Sequence, residues 1–193
     1  ALYYLLAALR PASILEVGTH IGASTVHIAS AVDKSQDANA RITTVDFSDV
    51  NSQEKKPWLR YGTKQSPKEM VEKLGYGSFV DFVTDSSLHF AEKCADRFDF
   101  IFLDGDHSAD TVYQEIAAVL HLLNEDGVIL LHDYFPDNKP LWSDGLIKAG
   151  PYLAVDRIRD EDVPVCAVPL GALPWPTKLG SNVTSLALFL RDA

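Results

Sequence analysis

The chain has 193 residues, of which 47% are hydrophobic, and a formal net charge of −10 at pH 7. This length fits one domain with a full core, so we predict a single domain over residues 1–193. The acidic balance excludes a nucleic-acid partner, whose binding would need a basic patch. Because the chain opens on Ala1 rather than Met, we expect an N-terminal piece to be missing.

Apolar runs typical of strands alternate with helical patterns along the whole chain, which indicates βαβ units around a parallel sheet. The apolar start at 2–9 is shorter than the roughly 20 residues that span a bilayer, so we predict a helix there and no membrane partner. The predicted strands are 13–17, 41–47, 78–84, 98–103, 128–131, 163–168 and 184–190. The predicted helices are 2–9, 24–31, 67–74, 88–96, 109–123 and 143–159, the last one interrupted at Gly150-Pro151.

A glycine turn follows the first predicted strand and opens a helix, in the segment Ile14-Leu-Glu-Val-Gly-Thr-His-Ile-Gly-Ala-Ser-Thr25. Gly18 and Gly22 would let the backbone come close to a ligand, to which the helix offers its first N–H groups. Glu16 lies at the end of the strand. The glycine spacing matches neither the G-x-G-x-x-G dinucleotide motif nor a P-loop, so an ordinary βα turn stays open as an alternative.

Acidic residues end the next two predicted strands at the same edge of the sheet. Asp46 lies where nucleotide-binding folds place a ribose-binding acid, although a solvated loop acid is the alternative. Asp85 and Ser86 follow the third strand, where they either contact an adenine amino group or cap the next helix. His20 lies within the glycine turn, and Trp58 and Trp142 lie in loops at the same edge, where they either cover a ligand or pack structurally.

Two further strands end in Leu103-Asp-Gly-Asp-His107 and Leu131-His-Asp-Tyr134. Neighbouring strands would bring Asp104 and Asp133 side by side as oxygen ligands, and His132 or Asp106 could complete the set. Such a group suits Mg²⁺, while a histidine in it would favour Mn²⁺, Fe²⁺ or Zn²⁺. The alternative is that the two aspartates form caps or turns and that His107 is structural.

With these motifs the chain resembles the Rossmann-like, class I S-adenosylmethionine-dependent methyltransferases, and in particular the macrocin-type and catechol-type small-molecule O-methyltransferases. The resemblance implies a doubly wound α/β fold with a mostly parallel seven-stranded sheet and a terminal antiparallel strand pair. It places Glu16-x-Gly18-x-x-x-Gly22 at the methionine part of the cofactor, Asp46 at the ribose and Asp85 near the adenine. The implied cofactor-binding residues are Glu16, Gly18, Thr19, Gly22, Ser24, Asp46, Phe47, Asp85, Ser86 and Asp104.

The same resemblance implies metal ligands and a catalytic base. Asp104 and Asp133 match the ligands of the metal-dependent members, while His132 stands where those members have an acid and is the third expected ligand. His107 occupies the position of the lysine base in catechol-type relatives, and Asp106 that of the aspartate base in sugar-directed relatives. The pKa of an ordinary histidine lies closer to neutral pH, so His107 is the better base.

We therefore predict S-adenosylmethionine-dependent methyl transfer to a hydroxyl of a small molecule, assisted by Mg²⁺ or else by Mn²⁺ or Fe²⁺. One alternative is a metal-independent methyltransferase with His107 or His132 as general base. A second is a nicotinamide-dependent oxidoreductase, which the missing G-x-G-x-x-G opposes, and a third is a non-catalytic cofactor-binding module. The leading helix is a candidate homodimer surface, and the distant pair Cys94 and Cys166, with no CxxC motif, indicates a reducing, cytoplasmic location.

Overall fold

The computed structural model describes residues 1–37 and 39–191, so the predicted domain over 1–193 includes three residues, 38, 192 and 193, outside the described part. Seven strands form one sheet in the order β3-β2-β1-β4-β5-β7-β6. The strands are β1 Ser13–Val17, β2 Arg41–Asp46, β3 Val80–Thr84, β4 Phe98–Leu103, β5 Leu123–Leu131, β6 Val165–Pro169 and β7 Ala187–Arg191.

Strands β1 to β5 run parallel, and β7 pairs antiparallel with both β5 and β6. This arrangement confirms the predicted seven-stranded, mostly parallel sheet with a terminal antiparallel strand pair. The chain leaves β1 toward β2 on one side and returns to β4 on the other, so the order reverses between β1 and β4. In open α/β sheets ligands bind outside the carboxyl ends of the strands at such a point.

In the described part of the chain six α-helices cover the two faces of the sheet: α1 Leu2–Leu9, α2 Ala23–Ser35, α3 Pro67–Lys73, α4 Ser87–Lys93, α5 Ala109–Leu120 and α6 Gly150–Asp160. Successive strand residues point to opposite faces and feed two separate cores. Ile14 and Phe100 join the core under α1, α2 and α3, whereas Leu15 and Ile101 join the core under α4, α5 and α6. Within the described residues, no helix combines the length and the apolar character needed to cross a membrane.

The start of α3 follows the sequence pattern closely. The Ser66 hydroxyl accepts a hydrogen bond from the Glu69 N–H, and the Glu69 carboxylate accepts one from the Ser66 N–H. The backbone N–H groups of Ser66 and Glu69 thereby each have a hydrogen-bond partner, which is the function of a capping box. Trp58, in the excursion that precedes this helix, is buried, so its structural role is the one that the fold supports.

The predicted bounds differ from the observed ones in several elements, and the largest differences are at the α5–β5 junction and at the start of α6. Helix α5 ends at Leu120 instead of 123, because Leu123 already pairs with Phe98 and extends β5 to nine residues across a register shift. The predicted helix 143–159 begins only at Gly150, with Pro151 in its first turn, where proline is favoured. Residues 143–149 are therefore irregular and free to reach the carboxyl edge of the sheet.

Candidate active site

A cavity of about 820 Å³ opens at the carboxyl ends of β1 to β4. Its wall consists of the glycine turn, the ends of β2 and β3, the 104–107 segment and two side chains of α5, Thr111 and Glu115. All of the predicted cofactor-binding residues line it except Glu16 and Gly22. The acids that the sequence placed at the ends of separate strands are thus brought to one cavity.

Gly18 and Gly22 shape the turn for different reasons. Both have left-handed backbone angles, with φ of 98° and 77°. A Cβ atom on Gly18 would overlap the backbone carbonyl of Asp104, so only glycine allows the ends of β1 and β4 to lie this close. A Cβ atom on Gly22 would instead meet the Pro67 ring of α3 at 2.8 Å. Gly22 therefore allows α2 to pack against α3, and its predicted contact with a cofactor stays a prediction.

Glu16 lies behind the cavity wall and is fully buried. Its Oε2 accepts hydrogen bonds from the Thr25 hydroxyl at 2.5 Å and the Thr44 hydroxyl at 2.6 Å, while Oε1 has no hydrogen-bond partner. Burial raises the pKa of Glu16 to about 7, and the hydroxyl hydrogen bonds only partly oppose this rise. A direct contact between Glu16 and a cofactor does not fit this arrangement. The carboxyl instead joins β1, α2 and β2 beneath the turn, where Thr44 also lies 2.6 Å from the Thr19 hydroxyl.

Asp46 and Phe47 form one rim of the cavity. One carboxylate oxygen of Asp46 accepts a hydrogen bond from the His20 N–H at 2.9 Å, and the other accepts one from the Ser48 N–H at the same distance. The carboxylate thereby holds the glycine turn against the end of β2. A carboxylate offers about four acceptor positions, so it can still receive hydroxyl groups from a ligand. The Phe47 side chain beside it is 83% exposed and presents a flat apolar face.

A further part of the rim comes from the end of β3, the strand next to β2 in the sheet, and from α5. Ser86 caps α4 through a hydrogen bond from the His89 N–H, as the capping alternative predicted, and it still lines the cavity. The imidazole of His89 lies 2.7 Å from the Asp85 carboxylate and lowers its pKa. Glu115, which was not predicted, accepts a hydrogen bond from the Ser87 hydroxyl at 2.6 Å, and burial raises its pKa to about 7. The sequence did contain a signal for Glu115, because an acidic residue on the apolar face of the predicted helix is unusual.

The predicted metal and base residues do meet next to the cavity. The Nδ1 atom of His132 lies 3.0 Å from Asp104 Oδ1 and 3.3 Å from Asp133 Oδ1. These are ion-pair separations, since the N–H direction meets neither oxygen at hydrogen-bond geometry. His107 Nε2 lies 3.6 Å from Asp133 Oδ2. The Nζ atom of Lys148 lies 2.5 Å from the same oxygen, and this residue was not predicted because it falls in the stretch interpreted as helix.

Opposing charges set the protonation of this cluster. Burial by itself lowers the pKa of His132, but the carboxylates of Asp104 and Asp133 outweigh it and raise that pKa to about 9. Burial disfavours the Asp133 carboxylate too, yet His132 and Lys148 hold its pKa well below the usual range. Burial and the nearby Lys148 lower the pKa of His107, which is therefore neutral at pH 7. His107 can accept a proton there, and His132 already carries one.

Asp106, the other candidate base, is engaged with its own backbone. Its Oδ1 accepts a hydrogen bond from the Ser108 N–H at 2.6 Å, and this bond lowers its pKa. A carboxylate stabilised in its ionised form is a weak proton acceptor. The geometry therefore favours His107 over Asp106 as the base, although both side chains line the cavity.

The donor set does not fit the expected divalent metal. No group of three His, Cys, Asp or Glu side chains in 1–37 and 39–191 is arranged to hold a metal ion. Mg²⁺ requires an octahedral shell of oxygens at about 2.0–2.1 Å, whereas Asp133 already faces an ammonium on one oxygen and a hydroxyl and an imidazole on the other. The His132 imidazole lies at ion-pair distance from both Asp104 and Asp133, in the space where a shared metal would bind. The predicted ligand set of Asp104, His132 and Asp133 is thus a network of ion pairs in this structure.

Comparison with known proteins gives the family. Residues 15–134 match the model of a family described as a methyltransferase domain, and this match covers more than half of the chain. The chain belongs to the methyltransferase domain family. The match begins in β1 and ends just after Asp133, so it includes the glycine turn, Asp46 and both clusters at the strand ends. No curated protein sequence was found to match.

Solved structures share the fold at low sequence identity. One is the O-methyltransferase TomG from Streptomyces achromogenes, involved in tomaymycin synthesis and solved with SAM, at 17% identity and a TM-score of 0.67 over 100% of this chain and 78% of that one. Another is an O-methyltransferase from Bacillus cereus in complex with SAH, at 19% identity and 0.67 over 99% and 79%. A third is the SAH-bound methyltransferase PaMTH1 of Podospora anserina, at 20% identity and 0.66 over 100% and 76%. The Rossmann-like methyltransferase fold is therefore the fold of this chain.

Proposed function

We propose that this protein transfers a methyl group from S-adenosylmethionine to a hydroxyl oxygen of a small molecule, without a divalent metal. The observation that carries the proposal is the continuity of one cavity, from the glycine turn and Asp46 at one end to Asp104 and His107 at the other. A nucleoside-bearing cofactor and a proton acceptor would share that space. The ion-pair network at Asp133 supports the metal-free form of the reaction over the metal-assisted form that the sequence favoured.

The chemistry of the wall fits the parts of S-adenosylmethionine. The N-terminal N–H groups of α2 and the backbone of Gly18, which lines the cavity, suit a carboxylate, and the Asp46 oxygens suit ribose hydroxyls. The exposed face of Phe47 suits an adenine ring. TomG was solved with SAM and the Bacillus cereus enzyme with SAH on the same fold, which supports the assignment.

His107 supplies the proton acceptor in this proposal. S-adenosylmethionine, when bound, provides an electrophilic methyl group on a sulfonium. Neutral His107 takes the proton of the substrate hydroxyl at an imidazole nitrogen, as a general base that works near its own pKa. The oxygen–carbon bond forms as the carbon–sulfur bond breaks, which leaves a methyl ether, S-adenosylhomocysteine and a proton on His107.

The test is calorimetric titration with S-adenosylhomocysteine, followed by methyl-transfer assays on phenols, catechols and sugar diols with and without a chelator. Binding together with chelator-resistant turnover on any of these hydroxyls would support the proposal. Binding with no turnover on the whole panel would favour the non-catalytic module instead. Absence of binding would contradict the cofactor assignment, and turnover that vanishes on chelation would contradict its metal-free form.

Three further predictions accompany this function. A small-molecule substrate follows from the size of the cavity, and a cytoplasmic location from the sequence spacing of Cys94 and Cys166. A homodimer through α1 stays a prediction, for which Tyr4 and Leu9 offer exposed apolar surface. Sedimentation of the purified protein over a range of concentrations tests it.

A further inference from the structure

Lys148 reaches the site from a stretch with no regular structure, between Trp142 and the start of α6. Two residues later the backbone of Gly150 packs directly on the carbonyl of His107, so closely that a Cβ atom would overlap it. This contact fixes the entry of α6 next to the proposed base. The backbone near Lys148 is therefore anchored to the 104–107 segment, although 15 residues separate Lys148 from Asp133 along the chain.

The Asp133 carboxylate needs a cation at this position. Asp133 is 8% exposed and has a left-handed backbone with φ of 53°, which turns the chain immediately after β5. A buried carboxylate without a partner is strongly unfavourable. Lys148 pairs with Oδ2 at 2.5 Å, while the Ser185 hydroxyl donates to Oδ1 at 3.3 Å and the His132 imidazole lies at ion-pair distance from the same oxygen. The chain thus supplies from its own residues the positive charge that a metal would otherwise bring.

The ammonium of Lys148 is also able to act on a ligand. Its side chain is 48% exposed, so it is not sealed in by the pair with Asp133. An ammonium has three N–H donors, of which one suffices for Asp133. Asp133 Oδ2 lies 2.5 Å from Lys148 Nζ and 3.6 Å from His107 Nε2, so the cation and the proposed base both contact one carboxylate oxygen.

We propose that Lys148 is the resident cation at Asp133. His132 lies between Asp104 and Asp133, and beside it Lys148 balances the Asp133 carboxylate, which the family resemblance assigns to a divalent metal, and stabilises the negative charge on the substrate oxygen while His107 removes the proton. This inference rests on the proposed function for its catalytic half. Its structural half is the exclusion of a metal from Asp133 by the lysine, which can be tested without measuring turnover. A divalent ion bound to Asp133 Oδ2 would lie beside the ammonium, and the repulsion between the two charges would have to be overcome.

Binding of Mn²⁺, followed by the electron paramagnetic resonance signal of the free ion, tests the structural half. The proteins are wild type, Lys148→Met, Lys148→Arg and the control Lys139→Met, which removes an exposed lysine of the same connection that pairs with Asp137 instead. We expect wild type, Lys148→Arg and Lys139→Met to bind weakly or not at all. Lys148→Met should bind Mn²⁺ at least tenfold more tightly than wild type. Equal binding by wild type and Lys148→Met would overturn the assignment.

Turnover on the best hydroxyl substrate tests the catalytic half. Loss of one donor to a developing oxyanion lowers kcat by about 100-fold, so Lys148→Met should show a loss of that order with an S-adenosylhomocysteine affinity within threefold of wild type. Lys148→Arg, which keeps the charge, should recover most of kcat, and thermal unfolding confirms that each variant is folded. Full kcat in Lys148→Met would overturn the catalytic role. Wild type without turnover on any hydroxyl would contradict the proposed function, while the Mn²⁺ result would still decide whether Lys148 excludes a metal.

Discussion

Replacing Glu16 by glutamine should remove a pH-dependent loss of stability from the fold. Glu16 is fully buried, and its pKa rises from 4.5 to about 7 because burial disfavours the carboxylate. The folded protein therefore holds this proton more tightly than the unfolded chain does. The contribution of Glu16 to the stability of the wild type then falls as the pH rises from about 4.5 to 7 and levels off above that range. In Glu16→Gln no proton is exchanged at this position, so this part of the slope disappears.

The size of the effect follows from the two pKa values. Each pH unit between them contributes about 1.4 kcal/mol, so the full penalty is about 3 kcal/mol, of which about 2 kcal/mol develops between pH 5 and pH 8. Any constant effect of the glutamine amide, whose nitrogen would replace the unpartnered Oε1, is the same at every pH and cancels in the comparison. Glu115 adds a slope of the same sign in both proteins, since its pKa is also raised to about 7.

Chemical denaturation at pH 5, 6, 7 and 8 measures the free energy of unfolding of wild type, Glu16→Gln and the control Glu92→Gln, which changes an exposed glutamate of α4. The difference between Glu16→Gln and wild type should grow in favour of the variant by about 2 kcal/mol from pH 5 to pH 8. The control should follow wild type at every pH. Parallel curves for Glu16→Gln and wild type would refute the reasoning, because they would mean that Glu16 ionises in the fold as it does in water.

Three further substitutions test the cavity. His107→Gln should lower kcat about 100-fold, with S-adenosylhomocysteine affinity within threefold of wild type in calorimetry, because only a proton acceptor is lost. Gly18→Ala should weaken S-adenosylhomocysteine binding at least tenfold and lower Tm, because its Cβ would overlap the Asp104 carbonyl. The control is Gly62→Ala, at a position that is also left-handed but has open space around it. This variant should leave binding unchanged, so it shows the effect of backbone strain alone. Asp46→Ala should weaken S-adenosylhomocysteine about tenfold through the loss of a charged acceptor, and unchanged affinity would remove Asp46 from the proposed ribose site.

The parts of the fold that could be predicted are those whose sequence pattern is typical of one kind of element. The runs at 13–17 and 98–103 are bounded by turn residues and are buried on both faces of the sheet, and the structure has strands there with the predicted bounds. The apolar run at the end of α5 fits a helix and a strand equally well. Leu122 and Leu123 are buried and apolar, so they continue a helical pattern as well as they begin a strand. An apolar run cannot by itself distinguish the two, and pairing with Phe98, distant in sequence, decided it.

The stretch before α6 shows a second reason why a predicted element was wrong. Leu146 and Ile147 add apolar residues at positions that extend the helical pattern of 150–159 backward, and the helix was predicted from 143. Both are exposed, and Gly145 has a left-handed backbone with φ of 70°. The helix begins only where Gly150 meets the His107 carbonyl. That contact joins two distant segments and leaves no periodic signal in the sequence.

The carboxylates at 104 and 133 illustrate why the candidate site was predicted only in part. Two acids at the ends of neighbouring parallel strands must come together whatever binds between them, so their meeting followed from the sheet alone. Their partner did not, because the same pair can face a divalent ion or side chains that carry positive charge. Here His132 and Lys148 are those partners, one adjacent in sequence and one contributed by an irregular connection. The charge balance of the site, and with it the choice between metal and lysine, thus depends on a tertiary contact and not on the strand-end motifs themselves.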